Sequence, residues 1–97
     1  MKLILTEDKP TLKPYDQDKW AKLPDVSLPI ESSLAIVRGL HERWVSLLEG
    51  APESSWNRSA LHPEVGKITL ESLLLTYAHH GQNHVQQISK LRTTNNW

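Results

Sequence analysis

The chain has 97 residues, with eleven basic and eleven acidic side chains and no formal net charge. That length allows one small domain, and the balanced charge offers no basic footprint for nucleic acid. The absence of cysteine excludes a disulfide framework and thiolate chemistry from this chain and suits a reducing cytoplasm.

In chain order, MKLILT is a short apolar stretch that reads as the last turn of a helix or a small strand without a mate. Its apolar run is too short for a signal peptide and far too short to span a membrane, so the expectation is a soluble cytoplasmic protein. Pro10 and Pro14 then impose an extended arm, KPTLKPYDQDKW, because proline lacks a donor and disfavours helix at the residue before it. Tyr15 and Trp20 are expected to anchor this arm against a core. One helical turn fits residues 18–23, stopped by Pro24.

The first long helix is predicted over 29–49. Ser27 and Pro29 supply a start signal, Glu31 complements the helix dipole, and Gly50 with Pro52 ends it. Ile30, Leu34, Val37, His41, Trp44 and Leu48 recur at intervals of three and four, as the buried stripe of an amphipathic helix requires. His41 lies in that stripe, either as a core histidine bonded to a neighbour or as part of a polar pocket. Arg38, Glu42 and Arg43 read as a solvated face. A long connection follows, with a short helical turn over 52–56 and a turn at His62-Pro63-Glu64 before Gly66. His62 and Glu64 there are structural or line the rim of a site.

The last helix is predicted over 70–91, capped by Thr69, with the tail RTTNNW fraying. Its stripe is Leu73, Tyr77, His80, His84, Ile88 and Leu91. Four residues apart, His80 and His84 point within about 40° of one another, one turn apart. An imidazole pair so placed can grip one metal ion from the interior of a bundle. A bare H-x3-H also arises by chance, so the pair by itself leaves metal binding and a satisfied core open. Tyr77 is most simply packing, with a place beside any such site. Two striped helices without partners leave half of each stripe wet. An incomplete bundle that associates is therefore expected, most simply as a homodimer of four helices.

Taken in order, TLKPYDQDKWAKL, LHERWVSLL, LHPEVGKITLESLL and YAHHGQNHVQQI resemble the second half of the YfiT-like branch of the DinB superfamily, over about residues 3 to 91. The resemblance implies an all-α fold: a helical hairpin forming half of a four-helix bundle, completed by dimerisation. It divides the chain into an arm, 1–26, carrying the tail of an absent helix, and a helical pair, 27–97. Family members hold a divalent metal, zinc or nickel, with three histidines. The motif Y-A-x-H-G-x-x-H carries two of these onto His80 and His84, while His79 flanks them. The family's third histidine precedes the KPYD arm and has no counterpart here, so the implied site is incomplete within one chain. Family activities are metal-dependent hydrolysis or thiol S-transfer. The alternatives are a non-catalytic dimeric module with structural histidines, or completion by a separate N-terminal fragment.

Overall fold

The computed structural model describes residues 1–97, of which 63% lie in helices. Four α-helices follow in order: α1 (Lys2–Thr6), α2 (Gln17–Trp20), α3 (Ile30–Glu49) and α4 (Leu70–Thr94). Two short 3-10 turns, Pro24–Ser27 and Glu53–Ser55, and two strands, β1 (Ser59–His62) and β2 (Gly66–Thr69), complete the chain. No helix is long and apolar enough to cross a membrane.

The helix limits follow local chemistry. At the start of α4, the Ser72 amide donates to Thr69 Oγ1 at 3.1 Å and the Thr69 amide donates to Ser72 Oγ at 2.8 Å. This reciprocal box satisfies two donors that the first turn would leave orphaned. The tail expected to fray instead extends α4 to Thr94 and then closes it. Asn96 takes a left-handed φ of 53°, the Trp97 amide donates to Arg92 O at 2.9 Å, and the Asn96 amide donates to Thr93 O at 3.4 Å. That is a Schellman stop with asparagine in the position glycine usually takes.

The connection between the long helices holds a β-hairpin that the periodicity did not reveal, because four-residue strands show too little alternation. β1 and β2 pair antiparallel, with Ala60 opposite Ile68 and His62 opposite Gly66. Gly66 has φ 85°, a conformation that costs glycine least. The arm joins the free edge of β1. Leu12 donates its amide to Leu61 O and Leu61 donates to Pro10 O, each at 2.8 Å. A proline at that edge loses nothing, since its carbonyl alone is used.

The core sits at this end of the molecule. Ile4, Ala60 and Leu70 are 1%, 2% and 0% exposed, ringed by half-buried Leu12, Leu48, Trp56, Ile68 and Leu73. Ile4 and Leu70 thus share one core, so the arm over 1–26 packs onto the helical part over 27–97. Arg58 seals the junction: its Nε donates to Ile4 O at 2.6 Å and its Nη2 donates to Glu7 O at 2.7 Å. A guanidinium there serves the unpaired carbonyls that end α1. Arg58→Met keeps the stem and removes both bonds, and is expected to cost about 1–2 kcal/mol in a urea titration. Tyr15 and Trp20 do not anchor the arm to this core. Both are exposed and stack on each other, ring centroids 4.6 Å apart.

Beyond the core the long helices cover little of each other. Leu48 packs against the Leu70 cluster, and Trp44 meets Tyr77 at 4.7 Å. Advancing along α3 therefore means retreating along α4, the opposed sense of a helical hairpin. Every residue of α3 from Ile30 to Arg43, and of α4 from Leu74 to Thr94, is exposed.

Candidate metal centre

The two histidines of interest lie midway along α4, one turn apart on its unpartnered stripe. Their Nε2 atoms converge to 2.9 Å, with ring centroids 4.4 Å apart and planes at 81°. His84 Nδ1 lies 3.1 Å from Gln87 Oε1. An amide oxygen only accepts, so His84 Nδ1 carries the proton and its Nε2 presents a bare lone pair. In the metal-free pair, His80 Nε2–H then donates to that lone pair. Gln87 was not singled out by the sequence, although its place three residues after His84 puts it on the same face.

The donor set fits a metal in part. With metal–nitrogen distances of about 2.0–2.1 Å, nitrogens 2.9 Å apart subtend about 90° at a shared ion. A six-coordinate ion is suited by that bite as it stands. Tetrahedral zinc needs the nitrogens to part by roughly 0.4 Å, a small side-chain adjustment. No third histidine, carboxylate or cysteine converges on the pair. Gln87→Leu is expected to weaken nickel or zinc uptake about tenfold in a calorimetric titration, as loss of a ligand's orienting partner does.

The other residues proposed to line a site separate into two groups. His41 and Tyr77 border one apolar cavity of about 170 Å³, shared with Trp44, Val45, Leu48 and Ala78. His41 stacks on Trp44 at 5.4 Å, and Tyr77 lies one turn before His80 on α4. Met1 also borders this cavity, and burial lowers the pKa of its α-amino group below the ordinary value. His62 is used elsewhere. Its Nδ1 accepts from the Glu64 and Val65 amides at 3.2 and 3.3 Å, closing the hairpin turn. His79 is exposed and offset by about 100° from His80 around the helix.

This fold has counterparts. The profile of the DinB superfamily matches residues 1–88. A Bacillus cereus protein named "Putative metal-dependent hydrolase" is 44% identical over 96 residues, covering 99% of this chain and 56% of that protein. A Bacillus thuringiensis protein of the same description matches to the same extent. Among solved structures, YfiT from Bacillus subtilis superposes with a TM-score of 0.93 at 36% identity, over 99% of this chain and 56% of its own. That structure is described as "a probable metal-dependent hydrolase with an unusual four-helix bundle topology". The chain therefore spans about half the length of these relatives, and it belongs to the YfiT-like branch of the DinB superfamily.

Proposed function

We propose that His80 and His84 are ligands of a divalent metal, nickel or zinc, and that the chain serves metal-dependent hydrolysis or thiol S-transfer. The observation that carries this reading is the convergence of the two Nε2 atoms at 2.9 Å, with Gln87 holding the His84 tautomer. Membership of a superfamily whose relatives bear the name of metal-dependent hydrolases supports it. When bound, such an ion supplies Lewis acidity that lowers the pKa of a coordinated water or thiol. The chain's own part is to hold the ion through two imidazoles while leaving its other positions open. The cytoplasm is the compartment proposed, which a cysteine-free chain suits.

The test is metal content of protein purified without chelator or histidine tag, alongside hydrolysis of activated esters and transfer of thiols to electrophiles. Near-stoichiometric metal and an activity abolished by chelation, then restored by the ion, are expected. Metal-free protein that takes up neither ion would overturn the reading. A second reading, a non-catalytic module whose histidines are structural, draws on the lack of a third convergent ligand. It predicts no turnover, and His80→Leu and His84→Leu variants that fold as well as the parent.

A further inference from the structure

Gly81 lies inside α4 without a local reason to be glycine. Among the glycines only Gly66 has a positive φ, so the backbone at Gly81 suits any residue. A helix interior disfavours glycine more than any residue except proline. Nor does packing within the chain require it, since a Cβ built at Gly81 meets no atom within 4 Å.

Its place around the helix supplies a reason. Tyr77 and Ala78 border the cavity that α4 shares with Trp44 and Val45 of α3. Gly81 lies one turn beyond them and between them around the axis, about 40° from Tyr77 and about 60° from Ala78. It therefore faces α3, so this side is set by two helices of the chain itself and not by what covers their stripes. Trp44 meets Tyr77 at 4.7 Å, and past that contact the opposed helices bring His41 and Gly81 to about the same level. Gly81 also follows His80 directly and lies about 60° from His84 around α4. A gap between α3 and α4 thus opens at the height of the two imidazoles, and Gly81 is the wall residue reduced to hydrogen.

We propose that Gly81 keeps a passage between α3 and α4 by which a thiol reaches an ion held by His80 and His84, and that it sets the size of thiol admitted. This rests on the metal reading above. A thiolate is a soft ligand for the positions that two imidazoles leave free.

The experiment titrates the nickel-loaded chain with 2-mercaptoethanol and with glutathione, followed by thiolate-to-nickel absorption. Gly81→Leu is expected to weaken glutathione binding at least about tenfold, while 2-mercaptoethanol changes by less than about threefold. Nickel affinity is also expected to change by less than about threefold, because neither imidazole is altered. Without metal, Gly81→Ala is expected to raise the melting midpoint by a few degrees, as a better helix former at an uncrowded position does. Gly39→Leu is the control. Gly39 is equally uncrowded but lies about 140° from Trp44 around α3, and its variant is expected to bind both thiols as the parent does. Equal loss of both thiols in Gly81→Leu, or loss of neither, would overturn the passage. So would a lower midpoint in Gly81→Ala, which assigns the glycine to the fold. The two readings fail separately: a parent that takes up no nickel removes the ligand assignment and the passage with it, whereas a nickel-binding chain whose thiols ignore Gly81→Leu removes the passage alone.

Discussion

Leu70→Ala is expected to unfold the chain or lower its melting temperature by well over ten degrees. Leu70 is fully buried, begins α4, and shares a core with only two other buried apolar residues, Ile4 and Ala60. Deleting a buried leucine costs about 2–5 kcal/mol, more where the surroundings cannot collapse into the space. Here the site is fixed on several sides. The Leu70 amide donates to Arg58 O at 3.1 Å and the Thr69–Ser72 box sets the helix start beside it. Domains are stable by only about 5–15 kcal/mol, and a chain with so small a core sits low in that range. Each kcal/mol shifts the midpoint by about 4–8 °C at this size. Val65→Ala, on the exposed hairpin turn, serves as the comparison and is expected to change stability by less than about 0.5 kcal/mol. Equal midpoints for the two variants in thermal melts would show that the core lies elsewhere.

The second large effect concerns metal rather than stability. His80→Ala and His84→Ala are each expected to reduce nickel or zinc affinity at least about 100-fold, beyond the loss typical of an outer partner such as Gln87. Each substitution turns a chelating pair into a single imidazole. Stability without metal is expected to stay within about 0.5 kcal/mol of the parent, because both rings are exposed and alanine is the better helix former. His62→Ala is expected to do the reverse, leaving metal uptake unchanged while loosening the hairpin turn its Nδ1 closes. Calorimetric titration of the three variants separates these roles. Unaltered uptake in His80→Ala would remove it from the ligand set.

These contrasts reflect how unevenly the molecule could be read beforehand. A helix repeats a local rule, so the recurrence of Leu34, Val37 and Trp44, or of Tyr77, His80 and His84, marks both long helices without knowledge of any neighbour. Convergence of His80 and His84 is equally local, since a helix places residues four apart on one face. The stop at Asn95-Asn96 was local too, but asparagine in the left-handed position is a weaker signal than glycine and was missed.

What the residues determined alone is therefore the two helices, the Thr69 cap of α4 and the histidine pair, because each depends on contacts within a few residues. Tertiary structure decided the rest. Arg58 reaches Ile4 across 54 positions, and the arm pairs with β1 through backbone groups that carry no residue signature. His41 shares its cavity with Tyr77 across the helix pair, which no spacing in the chain identifies, whereas His62 bonds amides only two and three residues on. The stripes of α3 and α4 announced a buried face of which half was expected to stay wet, and the fold showed which positions stay uncovered. Periodicity reports that a surface must be covered; what covers it depends on partners in space, which one helix cannot encode.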